Sequence, residues 1–326
     1  MAMPLLSICI PAYNRPEWLK RAILSILTTP IEQQPQVELI VSDDSTIPAC
    51  KQIVDELIVN WHGKHHYCQN TPSLGMAGNW NHCIQIASGE YVLILHDDDY
   101  LEAGAPGKIL ETLQQHPNES ALLFGVNVVT SKQNIQKQQI FQSQKRLTSK
   151  EALEKLLTNS SFIRFPGIVL NRQVFQRTGY FKETIGGIAD IDLWIRICQQ
   201  YGLLCIPITT ANYTVHGNAL TMQMFNTQVL KGIENLFKNV EAQQWLPKST
   251  LQKCKTNYFH QFILAGTVRH LKRWDAKSAS NTFKLLNQFN IENKHLKLKW
   301  KIVKITLKII LNPKDLFIFV QQSNEV

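Results

Sequence analysis

The sequence predicts an α/β protein in which a mainly parallel sheet is flanked by helices and followed by a helical, basic C-terminal extension. Three observations carry the prediction. Short runs rich in Ile, Val and Leu alternate with stretches of helical spacing through the N-terminal third, the pattern of consecutive βαβ units. Each run breaks off at a polar cluster. Strand signals then cease after residue 222, while helical spacing continues to the end. The charge divides at the same place: residues 1–224 hold 17 basic and 19 acidic side chains, a net of −2, and residues 225–326 hold 17 and 6, a net of +11. Two regions are therefore expected, 1–224 and 225–326, the second suited to an anionic partner.

In chain order, Leu5–Ile10 is an apolar run that stops at Pro11 and predicts a buried strand. Pro16 and Glu17 follow Asn14 and Arg15 as a helix start, and Leu19, Ala22, Ile23, Ile26 and Leu27 keep helical spacing until Pro30. Val37–Val41 is a second strand, broken by Ser42, Asp43, Asp44 and Ser45. Ile53, Leu57 and Ile58 suit a helix, and residues 65–70 a short third strand. Met76–Ala87 reads as a helix with Trp80 on its core side, and Tyr91–Leu95 as a fourth buried strand running into His96, Asp97, Asp98 and Asp99. Beyond it come a helix at Ala105–Gln115, a strand at Ala121–Thr130, a helix at Ser149–Leu157 opened by Thr148 or Ser149, a strand at Gly167–Leu170 and a helix at Asp190–Tyr201.

With 44% hydrophobic and 18% charged residues, disordered and low-complexity classes are excluded. Seven cysteines without a CxxC pair, several inside apolar runs, fit a reducing compartment better than a disulfide framework. The start MAMPLLSICIPAYN carries no charged leader or small-residue cleavage site, and no uncharged apolar run reaches the ~20 residues of a spanning helix. The expected location is cytoplasmic, peripheral on the cytoplasmic face of a membrane.

In an open parallel sheet, ligands bind beyond the carboxyl ends of the strands. Those ends carry Pro11 to Asn14, the pair Asp43 and Asp44, and the triplet Asp97 to Asp99. Converging carboxylates repel unless a cation or a donor-rich ligand lies between them, and Mg²⁺ or Mn²⁺ bridging to ligand phosphates fits that need. Neither GxGxxG nor GxxxxGK[ST] occurs, which disfavours a dinucleotide-dependent dehydrogenase or a P-loop ATPase.

The segments SICIPAYNRPEWLKRAILSIL, VELIVSDDST, GMAGNWNHCIQIASGEYVLILHDDDY, FPGIVLNRQVFQRTGYFKE and ADIDLWIRICQQYG resemble, in order and over residues 4–220, a family 2 glycosyltransferase of the GT-A fold. The resemblance implies a Rossmann-like nucleotide-binding sheet and transfer of a sugar, with inversion, from a nucleotide-diphosphate donor, with a UDP-sugar expected. The acceptor would be a saccharide or lipid-linked hydroxyl, in polysaccharide or glycolipid synthesis of the cell envelope. Carried over by position, Pro11, Ala12 and Tyr13 would line the nucleotide pocket with Asn14, Arg15 and Asn79 close by. Asp44 would pair with the base beside Asp43, and Asp97 would face the ribose. Asp98, with Asp99 and His216, would hold Mn²⁺ or Mg²⁺ in the manner of a DxD motif, and Asp190 would be the catalytic base. Such a base takes the acceptor proton on the face opposite the diphosphate, contributing ~10²–10⁴-fold.

The chain departs from the family pattern at three places: His96 replaces the frequent first Asp of the motif, GNWN lacks the usual Arg, and GYFKE stands where GGFDE is common. Plainer readings also exist. Asp190 would serve as a helix N-cap, and His62, His65, His66 and Cys68 form no standard zinc spacing. A nucleotidyltransferase acting on sugar phosphates would share the metal and carboxylates but wants a Gly- and Lys/Arg-rich first loop. Nucleic acid is not an expected partner, because Phe259, Phe262, Phe283 and Phe289 in the basic half read as core rather than exposed stacking residues. In Lys294–Leu311, helical angles align Lys297, Lys301, Lys304 and Lys308, with Leu298, Ile302, Val303, Ile305, Ile309 and Ile310 on the remaining faces. That pattern suits an anionic membrane surface, where each lysine adds ~1 kcal/mol, and Leu316–Val320 adds a further apolar patch.

Overall fold

A computed structural model describes residues 3–216, 223–289 and 291–312. The chain folds as two units, one of Met1–Ala152 with Ile163–His216, the other of Leu153–Phe162 with Gly217–Val326.

The first unit is built on β1 (Leu6–Ala12), every residue of which is buried because helices cover both faces of the sheet at its centre. β2 (Val37–Asp43) and β4 (Tyr91–Ile94) flank it in parallel register, with Leu6 opposite both Val37 and Tyr91, and β3 (His65–Gln69) extends the parallel set beyond β2. The intervening helices are α1 (Pro16–Ile26), α2 (Ala49–Leu57) and α3 (Gly75–Ile86). α1 buries Leu19, Ala22, Ile23 and Ile26, the face its sequence spacing predicts, each large side chain contributing about 1.5–3 kcal/mol.

At the opposite end from the ligand edge, Glu38 is fully buried and accepts from Ser7 Oγ (2.5 Å), Ser88 N (2.7 Å) and Ser88 Oγ (2.7 Å). Gly89 closes this corner: a Cβ there would lie 2.6 Å from Ser7 Oγ, so only glycine fits.

The rest of the sheet is mixed. After β5 (Tyr100–Leu101) and α4 (Ala105–Gln115), β6 (Ala121–Thr130) joins the sheet, with β7 (Ile135–Gln139) beside it, and β8 (Lys145–Leu147) leads to α5 (Ser149–Thr158). β9 (Ile168–Asn171) runs antiparallel between β4 and β6. α6 (Val174–Thr178) and α7 (Ala189–Tyr201) precede β10 (Leu203–Val215), which is parallel to β6 and antiparallel to β5 and β8. The sequence reading contained no strand at 203–215. The pairing of β10 with β6 shifts register between Ile206 and Thr209 and again before Ala211, and those irregularities erase the alternation by which strands are read.

In the second unit, α8 (Thr227–Ala242) is capped by Asn226, whose side chain accepts from Val229 N at 3.0 Å, and α10 (Ala276–Gln288) likewise by Asp275. α9 (Lys248–Lys272) buries Tyr258, Phe259 and Phe262 against neighbours such as Phe237; of the aromatics expected in the core, Phe259 and Phe262 are there, while Phe283 and Phe289 are only half-buried. Asn257 holds the entry to α11 (Leu298–Leu311), donating to His295 O at 3.0 Å and accepting from Lys297 N at 3.1 Å. One expectation is corrected here. Lys304 does not stand in an outward stripe with Lys301 and Lys308: it turns in to Asn293 Oδ1 (2.9 Å) and His260 Nε2 (3.3 Å). Leu316–Val320 lies outside the described residues. Among the described residues, no helix is long and apolar enough to cross a membrane.

Candidate active site

The parallel order β3-β2-β1-β4 sets the loops after β1, β2 and β4 side by side. Asn14, in the left-handed region at φ 53°, which Asn tolerates, turns the chain after β1. Its amide donates to Ser45 Oγ (2.7 Å), and its Oδ1 accepts from Thr46 N (3.0 Å), tying the first loop to the second. Arg15 then reaches the acidic loop after β4, with Nη1 3.0 Å from Asp97 Oδ1 and 2.6 Å from Asp98 Oδ2.

The four residues after β4 sit in distinct environments. Asp97 accepts from Tyr13 N (3.0 Å), and burial pushes its carboxyl up to about 7 against the pull of Arg15. For Asp98, burial acts in the same sense, but the hydrogen bond from His216 Nε2 (2.9 Å) and the charge of Arg15 outweigh it and hold the carboxyl at about 2. Asp99 is buried; Oδ1 accepts from Thr214 N (2.7 Å) while Oδ2 has no partner, and burial with the neighbouring Asp98 charge raises it well above the usual carboxylate range. His96 stacks on Trp80 (centroids 5.4 Å) and Phe165 (4.3 Å), its Nε2 is buried without a partner, and burial lowers its pKa to about 4, so the ring is neutral.

His96, Asp98 and Asp99 each offer a ligand atom, all within 4.8 Å of one another. By sequence His96 reads as a departure from the motif. The signal that could have found it is its place one residue past a buried strand, directly before the acidic triplet. His216, expected among the metal residues, meets this cluster through its hydrogen bond to Asp98. Trp18 packs on the His216 ring at 4.5 Å and under the Arg21 guanidinium at 4.8 Å, while Arg21 donates to the Asp98 carbonyl at 2.6 Å. The residues His62, His65, His66 and Cys68 form no such cluster among the described residues: His65 and His66 are adjacent on β3, and adjacent strand residues face opposite sides.

On the β2 side, Asp44 accepts from Asn70 Nδ2 (2.7 Å), Ser73 Oγ (2.9 Å) and Leu74 N (3.1 Å), so it orders the loop 70–74. Three donors leave about one of its four acceptor sites open. Asn79 donates to the Ala12 carbonyl (3.3 Å) and accepts from Asn70 (3.2 Å). Pro11 and Ala12 are buried, and Tyr13 is 50% exposed, its ring open to a flat ligand. Asp43 is fully buried, with Oδ2 accepting from Tyr67 Oη (2.7 Å) and Oδ1 from Ser45 N (2.9 Å), so it supports the turn from inside.

Asp190 lies within the first turn of α7, where Ile188 holds the N-cap position without a side-chain cap, so the capping reading of Asp190 fails. Its Oδ1 accepts from Ile191 N (2.8 Å), and burial raises its carboxyl to about 6. The neighbouring Asp192 is committed to Lys182 (3.1 Å) and Arg196 (2.6 Å), which accounts for the lysine of GYFKE. Asn81 of GNWN brackets Phe181, donating to its carbonyl (2.9 Å) and accepting from its amide (3.0 Å). Phe165 contacts both His96 and Trp194 (5.3 Å), so rings link the acidic loop to α7.

The family model of Glycosyl transferase family 2 matches residues 7–179. This chain belongs to glycosyl transferase family 2. A relative of this family 2 chain is the GalNAc(5)-diNAcBac-PP-undecaprenol beta-1,3-glucosyltransferase of Campylobacter jejuni, 29% identical over 202 residues, which are 61% of this chain and 61% of that enzyme. The chain thus matches less than two thirds of that enzyme's length. Among solved structures, TarS of S. aureus (residues 1–349) in complex with UDP-GlcNAc aligns over 94% of this chain and 90% of its own, at a TM-score of 0.60 and 14% identity. The mannosyltransferase PcManGT of Pyrobaculum calidifontis, in complex with GDP-Man and Mn²⁺, covers 88% and 76% at 0.54 and 16%. The fold of this family 2 glycosyltransferase is GT-A.

Proposed function

We propose that the protein is an inverting glycosyltransferase that moves a sugar from a UDP-sugar to a hydroxyl of a lipid-linked saccharide, in glycolipid or polysaccharide synthesis at the cytoplasmic face of a membrane. The observation that carries the reading is the acidic loop after β4. Two of its buried ligand atoms, His96 Nε2 and Asp99 Oδ2, lack any partner, and a third residue, the ionised Asp98, lies between them in sequence. Buried polar atoms without partners are costly, and a divalent ion relieves that cost. His96, Asp98 and Asp99 would hold the ion; a neutral imidazole and an ionised carboxylate are already in the ligating form, and Asp99 would release its proton on binding. The imidazole favours Mn²⁺ over Mg²⁺, which prefers oxygen ligands. When bound, the ion neutralises the charge of the departing diphosphate.

The chain's own residues supply the rest. Tyr13 stacks on the base, the open acceptor site of Asp44 takes the imide N–H of uracil, and the Asp97 carboxylate accepts from the ribose hydroxyls. Arg15, released from the carboxylates, offers its donors to phosphate oxygens. Asp190 removes the proton of the acceptor hydroxyl as that oxygen bonds to the anomeric carbon and the bond to the diphosphate breaks. A single displacement inverts the anomeric centre. The Campylobacter relative, whose name specifies an undecaprenol-linked saccharide, and the UDP-GlcNAc complex of TarS support the acceptor and donor classes.

The test is a panel of UDP-, GDP- and dTDP-sugars scored for nucleoside diphosphate release, with the product linkage read by NMR. Release from UDP-sugars with an inverted linkage is expected. Preference for another nucleotide, or a retained configuration, contradicts the reading.

A further inference from the structure

α11 is apolar on two sides. Its inner side packs within the second unit, with Leu307 3% exposed and Trp300, Val303 and Leu311 half-buried. Its outer side carries a second apolar stripe: Leu298 is 72% exposed, Ile302 57%, Ile305 59% and Ile309 36%. At about 100° per residue these four fall within about 60° of one another, so they form one ridge rather than scattered contacts. Exposed lysines flank it, Lys301 and Lys308 on one edge and Lys299 on the other, and Lys297 sits at the N-cap. No acidic residue lies between Glu292 and Asp315. An ordinary surface helix centres its charges on the solvent side; here they border an apolar ridge.

We propose that the outer face of α11 docks in the interface of an anionic lipid bilayer, with Leu298, Ile302, Ile305 and Ile309 among the acyl chains and Lys299, Lys301 and Lys308 on headgroup phosphates. Lysine stems run along apolar surface while their ammonium groups stay at the polar boundary, so the ridge and its flanks are satisfied together. Charge complementarity selects this occupant. Two copies meeting through the ridge would bring the same patch against itself, placing lysines of both copies together along a helix whose own sequence carries no acidic residue. An anionic bilayer meets each lysine with a phosphate. The inference deepens the membrane placement proposed above; it rests on the second unit alone and not on the donor assignment.

The experiment is flotation of the full chain, without nucleotide sugar, on phosphatidylcholine vesicles with and without phosphatidylglycerol, at low and high salt. The protein should float with anionic vesicles and bind on the order of tenfold less to neutral ones or in high salt. Ile302→Asp with Ile305→Asp, and separately Lys301→Glu with Lys308→Glu, should each lose anionic binding by a similar factor while uridine nucleotide binding is unchanged. If the aspartates lower Tm, the charge reversals at the flanks still decide the matter. Equal flotation on both vesicle types, or wild-type flotation of either double variant, overturns the proposal. A dimer in sedimentation that the aspartates dissociate without loss of flotation assigns the ridge to a second copy. Flotation only after removal of residues 313–326 assigns it to the chain's own C-terminus. Either result overturns it too.

Discussion

The Arg15 guanidinium lies 2.6 Å from Asp98 Oδ2, the same oxygen that accepts from His216 at 2.9 Å. A cation carried by the chain thus occupies the carboxylate that a divalent ion would need. On the proposed reading Arg15 and the ion would compete for Asp98, and donor phosphates would resolve the competition by drawing Arg15 away. Arg15→Gln is expected to tighten Mn²⁺ binding in the absence of donor, on the order of tenfold, as loss of a charge-assisted pair implies. The same variant should bind donor more weakly. Calorimetric titration with Mn²⁺ alone and with UDP checks both; unchanged or weaker Mn²⁺ affinity would show that the two cations do not share the site.

Asp190 is held up at about 6 by burial, so it is protonated in acid and becomes a base as pH rises through that value. Because only the ionised form accepts a proton, kcat/KM should rise with pH through about 6 and level off above it. Asp190→Asn should keep donor affinity within about threefold and lower turnover by ~10²–10⁴-fold, with the acid limb gone. A variant with normal turnover moves the base elsewhere.

His96 packs on Trp80 and Phe165, and in the proposed reading its unpartnered Nε2 would be a metal ligand. Phenylalanine keeps the packing and removes the ligand atom. His96→Phe is therefore expected to hold Tm within about 4 °C, the shift that ~1 kcal/mol causes in a domain of this size. Mn²⁺ affinity should fall by at least the ~10–100-fold that disturbing even an outer partner costs. Thermal melts and Mn²⁺ titration by electron paramagnetic resonance separate the two. Unchanged Mn²⁺ affinity would leave the ion to Asp98 and Asp99.

The parallel half of the sheet was legible because its strands are buried on both faces and read as unbroken apolar runs, Leu6–Ala12 and Tyr91–Ile94 above all. The acidic loop followed at once, since a strand's carboxyl end fixes where the next residues stand. β7 was not legible: Ile135–Gln139 is almost wholly exposed, its side chains carry no apolar pattern, and its pairing with β6 comes from tertiary context. Within the site, which of two adjacent aspartates faces a ligand depends on partners distant in sequence. Tyr67 takes Asp43 into the interior, and the loop 70–74 keeps Asp44 near the edge. Lys304 shows the same limit in the helical unit, where Asn293 and His260 draw inward a lysine that helical spacing places with the exposed ones.

Glu38 anchors the far end of the sheet. Burial acts to raise its pKa, but the hydrogen bonds from Ser7 and Ser88 outweigh it and lower the carboxyl below its ordinary 4.5. A depressed folded value means that the stability Glu38 contributes is present above that pH and lost as pH falls through it. Glu38→Gln should cost about 1–3 kcal/mol near neutrality, because Ser7 and Ser88 lose a charged acceptor, and less in acid. Urea melts across pH check the sign: a penalty that grows below pH 4.5 would reverse it.

The most direct test of the account is the affinity for UDP measured with Mn²⁺ and with a chelator, on the wild type and on Asp98→Ala. The wild type should bind more tightly with the ion than with the chelator, and the variant should bind weakly and equally under both conditions. A variant that keeps the wild-type response to Mn²⁺ would contradict the assignment of the loop after β4 as the seat of the ion and the diphosphate.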